Sequence, residues 1–283
     1  MLHGYYRDGK QVSENEYCRA AYDVTTGTFS KTVREFLSDE ELQEYFDTFF
    51  KIYHSWGFKK EIRSIVFPCS VNATVEQLDG YTKMMRKNGF LYWANLWKKL
   101  NDTTIVTNGV TFMRKAIVEA DWDQYDFDPM MLVDHCSNVF HDDVHRIPSC
   151  SGFHWTNFLR MEPTNNMERV NDWAKYFRRQ NSIYGQMLSK DIAFAGSQAV
   201  YSRYASVSEC DNIITVDLTD VDAQDAAELS DTFYISTQNI GKTKIDPKSC
   251  EGGVMTLYDE FTRHKTWKIT RINNSKLITF KRV

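Results

Sequence analysis

The sequence predicts an α/β domain followed by a small antiparallel β domain. Three observations predict it. Two amphipathic helical stretches alternate with short β-prone runs between Cys18 and Trp97. Those runs end in polar or aromatic residues. After about Val207 the chain changes to short β-rich runs separated by Asn, Gly and Asp. Strand–helix alternation with short links implies parallel strands joined by helical crossovers. The expectation is therefore a parallel barrel or sheet over residues 1–206 and an accessory β domain over 207–283.

The elements follow in order. "CRAAYDVTTG" reads as a strand from Cys18 running into a turn. In "SDEELQEYFDTFFKIYHSWG", Ser38 and Glu41 form a capping box, each side chain satisfying an orphan amide of the first turn. Leu42, Tyr45, Phe46, Phe49, Tyr53 and Trp56 then fall on one helical face, and Gly57 stops the helix. "RSIVFP" reads as a buried strand. Thr74 and Gln77 form a second capping box, Leu78, Tyr81 and Met85 supply the apolar face, and Asn88–Gly89 ends that helix. "FLYWANLW" is the next strand. "TTIVTNGVTFMRKAIVEADW" holds either a strand and a helix or a hairpin around Asn108–Gly109. "MMLVDH" and "GFHWTNF" read as strands. A long helix from about Asn165 buries Val170, Trp173, Ala174, Phe177 and Tyr184, with Glu168 as capping partner. "DIAFAGS" reads as the last strand and "QAVYSRYAS" as a closing helical turn. Five runs after Val207 suit an antiparallel sandwich or meander.

Composition narrows the function classes. The net charge of −4 leaves no basic footprint, which argues against duplex nucleic acid as a partner. No apolar run is long enough for a membrane span. The N-terminus lacks the pattern of a signal peptide; a secreted or cell-surface location is favoured if a leader was removed. No P-loop, GxGxxG or G-x-S-x-G motif occurs, so no nucleotide cofactor is expected. The six cysteines form no CxxC pair and read as buried free thiols. The seven Trp, fifteen Tyr and eighteen Phe mean either a bulky core or flat platforms for sugar rings and other planar ligands.

Four of the seven histidines fall in "VDHCSNVFHDDVHRIPSCSGFHW". His141 and His145 stand at i and i+4, where two imidazoles on a helical turn share one divalent ion. The plainer reading is a solvated loop whose side chains cap turns. In parallel α/β folds functional residues gather at the carboxyl ends of strands. On the strand assignments above, those ends carry Asp23, Asn95, Trp97, Asp134, His135, His154, Trp155 and Gln198. Asp134 can orient His135 or merely end a strand. Asp23 can be base, ligand or turn cap. His154 in "GFHW" is either a general acid or base, its pKa lying near neutrality, or a core histidine. Trp97 and Trp155 can stack on sugars or fill a core. With Asn95 and Gln198 they make the candidate substrate-binding set.

The segment "SGFHWTNFLRMEP…VNDWAKYFRRQ…DIAFAGSQAVYSRYAS" resembles the closing part of polysaccharide deacetylase-like (NodB-type) domains. The resemblance implies a deformed (β/α) barrel that removes acyl groups from sugars with a divalent metal held by one Asp and two His. It carries His154 over to the family's late-strand histidine and Asp23 to the first motif. Val24 stands where that motif has its metal-binding Asp, and Asp142 replaces the hydroxyl residue of the H-[ST]-x-x-H motif. The implied metal site is thus rebuilt or missing. The leading expectation is metal-assisted deacetylation of a polysaccharide, with Zn, Ni, Co or Mn held by His135, His141 and His145, and with Asp23, Asp134 and His154 as catalytic groups. Two alternatives remain: a metal-independent glycoside hydrolase using Asp23 and Asp134, or a degenerate barrel that binds glycan without turning it over.

Overall fold

The computed structural model describes residues 5–7, 10–13, 18–23, 28–66, 75–96, 106–115, 149–150, 167–168, 170–171, 174–175, 178, 191–238, 244–260 and 264–283. The chain divides into two compact units, Met1–Thr111 and Phe112–Val283.

The first unit opens with two antiparallel hairpins. β1 (Tyr5–Arg7) pairs with β2 (Lys10–Ser13), and β3 (Cys18–Asp23) pairs with β4 (Thr28–Phe36). Helix α1 (Asp39–Ser55) starts at the expected capping box: Ser38 Oγ accepts from Glu41 N at 3.3 Å and Glu41 Oε2 accepts from Ser38 N at 3.0 Å. Then come β5 (Ser64–Val66), α2 (Val75–Lys87) and β6 (Tyr92–Leu96). β5 and β6 pair in parallel across α2, which is the βαβ unit the alternation foretold. Thr74 of the second expected capping box lies outside the described residues. Gly89, at φ 85°, ends α2 as expected.

Between β7 (Val106–Thr107) and β8 (Val110–Lys115) the chain makes a two-residue turn with Asn108 at φ 49° and Gly109 at φ 73°. Positive φ at both central residues is what Asn-Gly supplies to a tight hairpin. Of the two readings offered for this stretch, the hairpin is the one formed. Asn108 Nδ2 also donates to Asp79 Oδ1 at 2.8 Å and Thr82 Oγ1 at 2.9 Å, tying the turn to α2. The strands are ordered β5-β6-β8-β7. The end of β8, which belongs to the second unit, pairs in parallel with β9 (Ser149–Cys150) of that unit. Leu42 and Phe46 of α1, Met85 of α2 and Tyr92 of β6 are fully or almost fully buried in the core of this unit.

In the second unit, helix α3 (Ile192–Tyr204) leads into two antiparallel sheets, with the short helix α4 (Thr219–Asp222) between strands. One sheet has the order β10-β11-β16-β13: Ser206–Cys210, Ile213–Asp217, Leu277–Arg282 and Ile245–Glu251. The other has the order β12-β15-β14: Thr232–Gln238, His264–Arg271 and Gly253–Glu260. Alternate residues point inward, as half-buried strands require: Ile214 and Val216, Ile278 and Phe280, Trp267 and Ile269. A Cβ placed on Gly253 would meet Ile269 Cγ2 at 3.1 Å and Ile278 Cδ1 at 3.5 Å, so the two sheets face each other there in a sandwich-like arrangement. On β12, burial and the adjacent Tyr258 push the Tyr234 phenol up to about 12.

The barrel expectation is overturned. The described elements form mostly small antiparallel sheets with four helices, a β-rich fold and not a deformed (β/α) barrel. Two local causes are visible. β3 is followed by β4, whose "TFSKTVREF" doubles back instead of crossing over through a helix. "DIAFAGS", expected as the last barrel strand, is the first half of α3. A short apolar run does not distinguish buried strand from buried helix. Asp191 decides it locally, its carboxylate accepting from Ala193 N at 2.9 Å as an N-cap. Of the helix expected from Asn165, Met167, Glu168, Val170, Asn171, Ala174, Lys175 and Arg178 are helical; Val170, expected buried, is 38% exposed.

One buried polar atom of the sandwich makes a prediction. Thr266 on the central strand β15 is 8% exposed, and its Oγ1 has no hydrogen-bond partner among the described residues. Thr266→Val keeps the branched shape that strands favour and removes the unsatisfied hydroxyl. It should stabilise the protein by about 1 kcal/mol, read as a rise in the urea midpoint at unchanged slope. A lowered midpoint would show that the hydroxyl is satisfied.

Candidate functional site

The C-terminal end of α1 builds an aromatic surface from the sequence "FFKIYHSWGFKK", Phe49 to Lys60. Aromatic residues at i and i+4 lie one above the other on a helix. Phe49 stacks on Tyr53 with centroids 6.1 Å apart, and Phe50 stacks on His54 at 6.2 Å. Phe50 also stacks on Phe90 at 5.9 Å, which joins the surface to the core. Gly57 then adopts φ 82° and turns the chain back. The reversal brings Phe58 face to face with Tyr53, 5.0 Å away and tilted by 22°. Trp56 meets Phe58 edge-on at 6.4 Å.

Hydrogen bonds hold this reversal in place. Tyr53 Oη donates to Lys60 O at 2.9 Å, and Gly57 N donates to His54 O at 2.9 Å. His54 Nδ1 lies 3.1 Å from Phe58 O. A carbonyl only accepts, so Nδ1 is the donor in this contact. Against this support Trp56 is 70% and Phe58 52% exposed. Trp56 and Phe58 thus form one contiguous exposed aromatic patch, the kind of surface that serves as an interaction site.

The opening between α1 and α2 is a different kind of feature. It has a volume of about 620 Å³ and is lined by Asp39, Glu40, Glu44 and Asp47 on one side and by Lys83 and Lys87 on the other. Gln43, which also lines it, forms a reciprocal amide pair with Asn88: Gln43 Nε2 donates to Asn88 Oδ1 at 3.0 Å and Asn88 Nδ2 donates to Gln43 Oε1 at 3.1 Å. Lys83 bonds Asp79 at 2.6 Å, and this bond with that from Asn108 holds the Asp79 carboxyl below the usual range. These are solvated charges one turn apart on helices.

Of the sequence-derived site residues, Asp23, Asn95 and Gln198 lie among the described residues. Asp23 stands at the tip of the β3–β4 hairpin opposite Thr28, not at the carboxyl end of a parallel strand. Asn95 lies near the end of β6, one residue past the last parallel pair with β5. Gln198, expected at a strand end as a substrate ligand, is on α3 and donates to Thr232 O at 2.7 Å, which fastens the helix to β12. Asp134, His135, His141, His145, His154, Trp97 and Trp155 lie outside the described residues. Among the described residues no group of three or more His, Cys, Asp or Glu is placed to hold a metal ion. None of their helices is long and apolar enough to cross a membrane. Of the cysteines expected to be buried thiols, Cys250 is partly buried and Cys210 is exposed; both are free.

The sequence reading missed the platform because it placed Trp56 on the buried face of α1. The helix ends with Ser55, and Trp56, the residue after it, is exposed. The available signal was an aromatic on each side of the stop glycine, followed by two lysines: "WGFKK". No family model, curated protein or solved structure matches this chain.

Proposed function

We propose that this protein binds glycans through the aromatic platform at the end of α1. The observation that carries the reading is the exposure of Trp56 and Phe58 on a stacked, hydrogen-bonded support. Aromatic faces are electron-rich, and the C–H face of a sugar ring presents the complementary partial charge. A platform that is already ordered in the free protein loses little conformational entropy on binding. The platform offers aromatic faces for stacking, and the reading is accordingly one of binding. The reading thus keeps the glycan as ligand and sets the barrel aside.

The test is titration of the full chain with defined oligosaccharides, beside Trp56→Ala and Phe58→Ala. Truncating an aromatic anchor costs about tenfold or more in affinity. Exposed positions of this kind change stability little, so the variants should unfold with the parent. Binding that both variants leave intact would refute the platform. Failure of every neutral and charged glycan to bind would refute the reading itself.

A further inference from the structure

We infer that the glycan recognised at the α1 platform is polyanionic. This rests on the glycan-binding reading above and specifies its ligand. The segment from Phe49 to Arg63 carries Lys51, Lys59, Lys60 and Arg63 against the single carboxylate of Glu61. The whole chain, by contrast, has a net charge of −4. The local excess of positive charge therefore runs against the sign of the molecule. Glu61 is engaged by Arg63 at 3.2 Å, an intrasegment pair that leaves the lysines as the segment's other cations.

Two of those lysines are tied to the platform by the chain itself. Lys59 and Lys60 directly follow Phe58, and the Lys60 carbonyl accepts from Tyr53 Oη, whose ring is stacked on Phe58. Both lysines are exposed, as is Lys51 on the last turns of α1. A sugar ring lying on Phe58 would rest on the residue that Lys59 and Lys60 directly follow. Carboxylate or sulfate groups on the sugar would be attracted, and a net negative protein body would add no attraction elsewhere. A partner with both stackable rings and repeated negative charge matches the paired features. Either feature alone would match a wider set. Exposed ammonium–anion attraction is screened by salt, with a Debye length of about 10 Å at 0.1 M.

The experiment measures affinity of the full chain for a neutral oligosaccharide, a uronate-containing one and a sulfated one, at low and at near-molar salt. It is repeated with Lys59→Gln/Lys60→Gln and with Trp56→Ala. The anionic ligands should bind roughly threefold to tenfold tighter than the neutral one at low salt, with the preference lost at high salt. The double lysine variant should lose the preference and keep the neutral affinity. Trp56→Ala should weaken all three ligands together. The better of the uronate and sulfate arms names the anionic group. Equal affinity for neutral and charged ligands, or a preference that survives in the lysine variant, would overturn the inference and leave the glycan reading standing. No binding of any oligosaccharide overturns both. So does tighter binding to vesicles containing acidic phospholipid than to any oligosaccharide.

Discussion

Asp222→Ala will destabilise the second unit by about 3–5 kcal/mol. Asp222 on α4 receives both ends of the Arg271 guanidinium, Nη1 to Oδ1 at 2.8 Å and Nη2 to Oδ2 at 2.7 Å. The Arg271 side chain is 3% exposed and that of Asp222 21%. The remaining donors are also used: Nε reaches Ser275 O at 3.1 Å, Nη2 reaches Asn274 O at 3.1 Å, and Nη1 approaches Tyr201 Oη at 3.4 Å. One guanidinium thus joins α3, α4 and the turn between β15 and β16. The carboxylate pushes the Arg271 pKa up, and burial pushes up that of the Tyr201 phenol. Tyr201 in turn donates to Ser230 O at 2.7 Å and stacks on Phe233. Removing the carboxylate leaves a buried cation facing neutral oxygens, and that uncompensated charge is the source of the loss. Asp222→Asn keeps one acceptor and should lose less. Adding Arg271→Met to Asp222→Ala should cost less than the two single effects summed, because the charge that made the first change costly is gone. Hydrogen exchange at the β12 and β15 amides of the full chain reads all four variants. Additive losses, or an Asp222→Ala loss under 1 kcal/mol, would mean that water solvates the guanidinium.

This clamp illustrates which features could be read from the sequence. Local signals were readable. The Ser38–Glu41 box, the stop at Gly57 and the Asn108–Gly109 reversal depend on a few neighbouring residues whose side chains meet within one turn. The strand runs after Val207 were readable because short β-rich runs alternate there with Asn, Gly and Asp turn residues. Pairing across sequence was not. Arg271 and Asp222 are 49 positions apart, and nothing near either names the other. The β3–β4 hairpin passed unnoticed because only the first of its strands was weighed, and a strand without its partner fits an α/β crossover equally well. The α3 segment failed for a different reason. Its small and apolar residues suit either element, and Gly196, Ser197 and Ala199 are buried because α3 packs closely on β12. The candidate site shows the same limit. Periodicity continued one position too far turned Trp56 from a surface residue into a core one.

Gly252→Ala will cost more than the same change at Gly57, although both glycines have positive φ. Gly57 sits at 82° and Gly252 at 76°. Left-handed backbone costs an L-residue about 1–2 kcal/mol. At Gly57 that is the whole expected loss, since a Cβ there meets nothing within 4 Å. At Gly252, between β13 and β14, a Cβ would lie 2.3 Å from Leu277 O and 3.2 Å from Ile278 Cδ1. The first of these is backbone at the start of β16, fixed by pairing with β11 and unable to rotate away. Gly252 O also accepts from Ile272 N at 3.0 Å, so the glycine cannot withdraw without breaking that bond. Forced overpacking adds about 1–3 kcal/mol, which makes the expected loss at Gly252 about 2–5 kcal/mol in all. Asparagine separates the two contributions, because it tolerates left-handed backbone but still carries a Cβ. Gly57→Asn should therefore unfold close to the parent, while Gly252→Asn should be nearly as unstable as Gly252→Ala. If asparagine rescues both positions equally, conformational strain alone explains the glycines, and the close approach of Leu277 contributes nothing.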